Sequence, residues 1–217
     1  MLIRFTLLFA AVLAVATGWY QLARFSSTPG EQTAAPARLP SNIPQISEIS
    51  AIPEISEIKT TPALAAANSS SQTPLLLVFM HPRCSCTPAT LQQLDHILDV
   101  SHAPVRLALV VYQSAVVNEP SAQSARLLRH TAQIVPDING RLARRFGAAT
   151  SGEVVLYSSG GQLLYQGGIT PLRAHTGDSL ASDALRLALT TGEAQDKTFN
   201  VFGCPIFSAP SHSGHAG

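Results

Sequence analysis

A chain of 217 residues has room for one globular domain with appendages. Hydrophobic residues make up 46% of it, charged residues only 12%, and the net charge is +1 with no basic stretch, which excludes nucleic acid as the expected partner. Three cysteines, Cys84, Cys86 and Cys204, are too few for a disulfide scaffold; a close pair with a remote third points to redox or metal chemistry.

Phe5 to Ala23 is almost continuously apolar and close to the ~20 residues that cross a bilayer. Trp19 and Tyr20 suit the far interface, and Arg4 with the terminal amine favours a cytoplasmic N-terminus, although Arg24 lessens the asymmetry. Ala14-Val15-Ala16 resembles a small-x-small cleavage site, so a cleaved signal peptide is the rival reading. Because apolar character continues past that site, residues 1–25 read as an uncleaved membrane anchor. Either reading exports the remainder to the extracytoplasmic (periplasmic) side.

Residues 26–73 read as a flexible linker, rich in Pro, Ser, Thr and Ala. They contain a nine-residue repeat, Ile43-Pro44-Gln45-Ile46-Ser47-Glu48-Ile49-Ser50 followed by Ile52-Pro53-Glu54-Ile55-Ser56-Glu57-Ile58-Lys59. Isoleucine at every third position fits neither strand alternation nor a helical face, and proline in each copy opposes a central strand.

Residues 74–192 read as the folded domain. Leu75 to Met80 is a buried strand by its unbroken apolarity. Thr87 is the expected N-cap and Pro88 the first residue of a helix reaching Val100, with Leu91, Leu94, Ile97 and Leu98 on its inner side. Val105 to Tyr112 is a second strand, and Ser121 to Gln133 a helix that Ile134-Val135-Pro136-Asp137 interrupts. Asn139 to Phe146 forms a short helix ended by Gly147. Glu153 to Tyr157 and Gln162 to Gln166 flank Ser158-Ser159-Gly160-Gly161 as a hairpin. Asp178 to Thr190 is the last helix, closed by Gly192, and residues 193–217 form a tail carrying Cys204 in an apolar segment. The expected order is β-α-β-α-β-β-α, with a crossover making the first two strands parallel.

The chemistry centres on His81-Pro82-Arg83-Cys84-Ser85-Cys86-Thr87-Pro88, between the first strand and the first helix of the domain. Unpaired N–H groups and the positive end of the helix dipole favour a thiolate there. This stretch resembles the thioredoxin-like superfamily, particularly membrane-tethered thiol-disulfide proteins of the TlpA/ResA type, and it is also similar to RedB-type proteins. Phe79 stands where those families carry a strand-end aromatic, and Cys84 where they carry the nucleophilic cysteine. The resemblance covers roughly Pro74 to Thr191. It implies an α/β thioredoxin-like fold, a central mixed sheet flanked by helices, behind the membrane helix and linker. One residue separates the cysteines here where the family has two, and Thr150-Ser151-Gly152 occupies the loop where the family has a cis-proline packed on the disulfide.

On this reading Cys84 attacks and Cys86 resolves, with protein thiols or disulfides as partners. Such exchange needs one reachable, low-pKa thiolate and a second thiol nearby. Thr150 and Ser151 form the substrate-facing loop, and Cys204 is a possible third thiol if the tail docks. His81 could lower the Cys84 pKa or serve as a ligand. The competing reading is a copper or zinc site built from Cys84, Cys86, Cys204 and His81, with His175 a weaker ligand candidate. Peroxiredoxins share the fold, but their Thr-x-x-Cys surroundings are absent, since Thr87 follows the cysteines. With no phosphate loop or dinucleotide glycine pattern, no organic cofactor is implied.

Overall fold

The computed structural model describes residues 2–40, 73–114, 130, 132–193 and 198–207. The nine-residue repeat, nearly all of the helix expected over Ser121 to Gln133, and the tail histidines His212 and His215 lie outside them. The first element is α1 (Leu2–Ser27), whose Arg4–Ser27 stretch is the one helix among the described residues long and apolar enough to cross a membrane, with its large apolar side chains exposed.

The domain is built on β1 (Leu75–Met80), β2 (Arg106–Gln113), β3 (Gln133–Ile138), β4 (Glu153–Tyr157), β5 (Leu163–Gly167) and β6 (Thr198–Phe199), in the spatial order β3-β2-β1-β4-β5-β6. β1 lies near the centre. It pairs in parallel with β2 and antiparallel with β4, which explains why all six of its residues are buried. The parallel pair requires a crossover, supplied by α2 (Thr87–Ser101). β4 and β5 form the expected hairpin.

Alternation along β1 divides the core between the two faces of the sheet. Leu76, Val78 and Met80 pack with Leu91, Leu94 and Ile97 of α2 and with Leu185 and Ala188 of α4 (Leu180–Thr191). Leu75, Leu77 and Phe79 pack with Ala143 of α3 (Arg141–Arg145), Phe146, Ala35 and Ile206. The second face is thus covered partly by segments on either side of the domain in sequence.

Three sequence expectations change. Ile134-Val135-Pro136-Asp137 is strand β3, parallel to β2, rather than a helix interruption. Pro136 is compatible with that because β3 is an edge strand. The N-cap of α2 is Cys86, with Thr87 and Pro88 already helical, so the second thiol stands at the residue that starts the helix. Finally, residues 28–40, read as part of the linker, lie along the domain. Thr33 donates to the Gly147 carbonyl at 3.0 Å, Leu163 donates to Ala37 at 3.0 Å, and Ala35 donates to Gln166 Oε1 at 2.7 Å. Backbone pairing of this kind leaves no side-chain periodicity to read.

Candidate functional site

Three segments converge beyond the carboxyl end of β1. The first is the turn into α2. Cys84 donates its amide to the His81 carbonyl at 3.0 Å, and Thr87 donates to the Cys84 carbonyl at 3.2 Å, which winds residues 81–87 tightly and brings both cysteines to the amino end of the helix. The second is the loop before β4, where Thr150 and Ser151 are each 1% exposed. The third is the tail, which returns over the domain after β6. Ser151 donates its amide to the Cys204 carbonyl at 2.8 Å, Ile206 donates to the Ala149 carbonyl at 2.8 Å, and Thr150 and Pro205 form an antiparallel bridge between those bonds. Ile206 is buried in the core, which anchors the tail.

This convergence gathers all three cysteines. The sulfur atoms of Cys84, Cys86 and Cys204 lie within 4.8 Å of one another, and all three thiols are free. Cys204 donates its backbone amide to the Cys84 sulfur at 3.4 Å. The tail lies over Cys84, so that cysteine is covered where the sequence reading expects a reachable thiolate. The covered sulfur nonetheless accepts hydrogen bonds from two amides, a hydroxyl and a thiol.

Those hydrogen bonds set the direction of the Cys84 pKa shift. Burial alone pushes the Cys84 thiol up, but hydrogen bonds from the Cys204 thiol, the Cys204 and Cys86 amides and the Ser151 hydroxyl outweigh it and bring the pKa below the ordinary cysteine value. The amino end of α2 adds its positive partial charge. Cys86 moves the opposite way, pushed up by burial and by the neighbouring Cys84 charge. Burial and the bond it donates to Cys84 push Cys204 up to about 12. Of the three thiols, Cys84 is thus the one that ionises most readily, with Cys86 and Cys204 holding their protons more tightly.

Two residues escaped the sequence reading. Arg173, beyond β5, donates from its guanidinium to the Gly203 carbonyl, and its charge favours the ionised forms of Cys86 and Cys204. It also lies 4.9 Å over the Phe25 ring and donates its amide to Ser26, joining the end of α1 to the wall of the site. Ala174, at φ +56°, turns its amide toward the Cys86 sulfur. Neither belongs to a motif; only the fold brings the loop after β5 to the cysteines.

His81 sits differently from its expected place beside the sulfurs. Its ring stacks on Tyr112, with centroids 5.4 Å apart, and its Nδ1 accepts the Arg83 amide. Burial, then the Arg83 charge, lowers its pKa, so it stays neutral near pH 7 and supplies no positive charge to Cys84. Its backbone amide instead donates to the Ser151 hydroxyl at 3.0 Å. His175 is exposed, with Nδ1 against the Arg173 carbonyl, and stands outside the sulfur cluster.

The central β-α-β unit with thiols opening its helix, the antiparallel hairpin and the closing helix settle the architecture. The chain has a thioredoxin-like fold. An uncharacterised conserved protein from Geobacillus kaustophilus superimposes with a TM-score of 0.53 at 17% identity, over 64% of this chain and 79% of that one. A hypothetical protein from Sinorhizobium meliloti gives 0.52 at 19% identity, over 64% and 82%. A secreted disulfide oxidoreductase from Mycobacterium tuberculosis gives 0.39 at 16% identity, over 56% and 85%. No family model matches the sequence, and no curated protein matches it. Within this thioredoxin-like fold the tail has taken the exposed edge of the Thr150–Ser151 loop.

Proposed function

We propose that this chain is a thiol-disulfide exchange protein, anchored in a membrane by α1, whose attacking group is the Cys84 thiolate and whose substrates are thiols or disulfides of exported proteins. The observation that carries the reading is the sulfur cluster. Cys84 is the one cysteine whose pKa is lowered, and a second thiol stands within 4.8 Å whether Cys86 or Cys204 supplies it. Asymmetry of this kind suits exchange, in which one sulfur attacks as an anion and another waits protonated until a mixed disulfide forms. The link from α1 through Phe25 and Arg173 would hold the cluster close to the membrane surface.

The test uses the full chain in detergent with a small protein disulfide. Wild type should form a mixed disulfide at Cys84, then release it with reduction of the substrate, and Cys84→Ser should do neither. Equal reactivity of Cys84→Ser and wild type would remove Cys84 as nucleophile.

The same three sulfurs favour one second reading. Three cysteine sulfurs converging from two segments match the needs of Cu(I) or Zn(II), whose binding would release the thiol protons, with Cys84, Cys86 and Cys204 as the ligands. His81, stacked on Tyr112, takes no part in it. Near-stoichiometric metal after purification, lost in Cys84→Ser, would support this reading; metal-free protein that still exchanges disulfides would oppose it.

A further inference from the structure

Resting on the exchange reading, we propose that Cys204 is a catalytic cysteine, the thiol that resolves mixed disulfides at Cys84, and that the Gly203–Ile206 segment is docked on the Ala149–Ser151 edge to deliver it. The close Cys84–Cys86 pair is the obvious dithiol in the sequence. Geometry points elsewhere.

Cys204 already touches the reacting atom, since its amide donates to the Cys84 sulfur at 3.4 Å. It arrives on an independent backbone, held by antiparallel bonds at 2.8 Å on either side of the Thr150–Pro205 bridge. Closing a disulfide between two separate segments lets each backbone keep its conformation. Cys86 has no such freedom. It is the N-cap of α2, at φ −83° and ψ −17°, and it sits inside the turn that Thr87 closes onto the Cys84 carbonyl. A bridge across the single residue Ser85 must satisfy disulfide geometry within that wound turn, which strains it. Cys86, like Cys84, is only 5% exposed, whereas Cys204 is partly exposed.

The tail then has two duties. While docked it covers Cys84. When a substrate disulfide R–S–S–R′ approaches, the segment lifts and the Cys84 sulfur attacks. The substrate S–S bond breaks, Cys84–S–S–R forms, and R′S⁻ leaves and takes a proton from solvent. On redocking, Cys204 gives up its proton and its sulfur attacks Cys84. The mixed disulfide breaks, RS⁻ leaves and takes that proton, and a Cys84–Cys204 disulfide remains. Two thiols of the chain are oxidised by two electrons, and one substrate disulfide becomes two thiols. The reverse sequence delivers a disulfide to a reduced protein.

Glutathione disulfide serves as the probe, with the full chain in detergent. Cleavage after Arg83, Arg106 and Lys197 separates the peptide holding Cys84 and Cys86 from the one holding Cys204, so a link between the two reports Cys204 directly. Cys86→Ser should still give the linked peptides. Cys204→Ser should accumulate about tenfold more glutathione adduct at Cys84 than wild type. Cys204→Ala should trap the same adduct, and an unchanged unfolding temperature in either variant separates lost resolution from lost structure. Adduct accumulating in Cys86→Ser as much as in Cys204→Ser, or the absence of linked peptides from oxidised wild type, overturns the proposal. Those outcomes leave Cys84 as nucleophile intact; only a Cys84→Ser protein that still takes up and releases glutathione like wild type sinks the exchange reading itself.

Discussion

Gly203→Ala separates tail docking from cysteine chemistry, because it alters no sulfur atom. A Cβ at Gly203 would overlap the Ser151 carbonyl oxygen, lie 2.9 Å from the Ser151 carbonyl carbon and come within 3.2 Å of Thr150 Cγ2. The first two are backbone atoms, so no rotamer change relieves the clash and the segment must move. Moving it breaks the Ser151-to-Cys204 and Ile206-to-Ala149 bonds and lifts the Cys204 amide from the Cys84 sulfur. Each such bond contributes about 1 kcal/mol net. Partial exposure of Ile206, now 2% exposed, adds about 1 to 2 kcal/mol. The variant is thus expected to lose about 3 to 5 kcal/mol of tail docking. If the tail unfolds with the domain, the unfolding temperature falls by roughly 10 °C. The functional readout is the pH dependence of Cys84 alkylation. With the Cys204 donors withdrawn, the midpoint should rise toward or above the ordinary cysteine value. Gly160→Ala is the control, since a Cβ there meets only Ser158 Oγ at 3.7 Å. Unchanged stability together with an unchanged alkylation midpoint in Gly203→Ala would refute the reasoning that the docked tail sets the state of Cys84.

Glu153 is fully buried, and burial raises its pKa from 4.5 to about 7 against the opposing bond from Gln166 Nε2. The native state therefore holds the proton that the unfolded state has lost, and stability declines as pH rises from about 4.5 through 7, by about 3 kcal/mol in all. Chemical denaturation at pH 5 and pH 8 should show that decline in wild type and a flattened one in Glu153→Gln. Ser151→Ala removes a hydroxyl that bonds Cys84 and accepts the His81 amide, so the alkylation midpoint should rise, by less than in Gly203→Ala. Ile206→Ala should cost about 2 to 4 kcal/mol and raise the accessibility of Cys84 to alkylating reagents; a rate equal to wild type would mean the tail is no cover. Arg173→Gln, which removes the cation beside Phe25 and the Gly203 carbonyl, should slow alkylation of Cys86 and Cys204 relative to Cys84.

Sequence periodicity carries furthest where one element buries a whole face. β1, α2, the β4–β5 hairpin and α4 each follow from a local apolar pattern, and their order leads to the thioredoxin-like arrangement without any long-range information. Strand β3 fails that test. Its residues Ile134 to Asp137 include a proline and are only half apolar, and pairing with β2 rather than local preference makes them a strand. The Arg173 loop and residues 28–40 fail it more completely, because what fixes them is backbone hydrogen bonding that no side-chain pattern encodes.

By itself the sequence determined the fold class, the apolar N-terminal helix and the placing of Cys84 and Cys86 at a helix start, since each depends on neighbours within a few residues. It also marked Cys204 as unusual without giving it a location. Tertiary structure alone decided that Cys204, 120 residues away along the chain, donates to Cys84, that the tail fills the Thr150–Ser151 edge, and that His81 faces Tyr112 instead of the sulfurs. The physical reason is range. A thiol's protonation state is set by donors and charges within a few ångströms, and which donors arrive there depends on how distant segments close over the sheet.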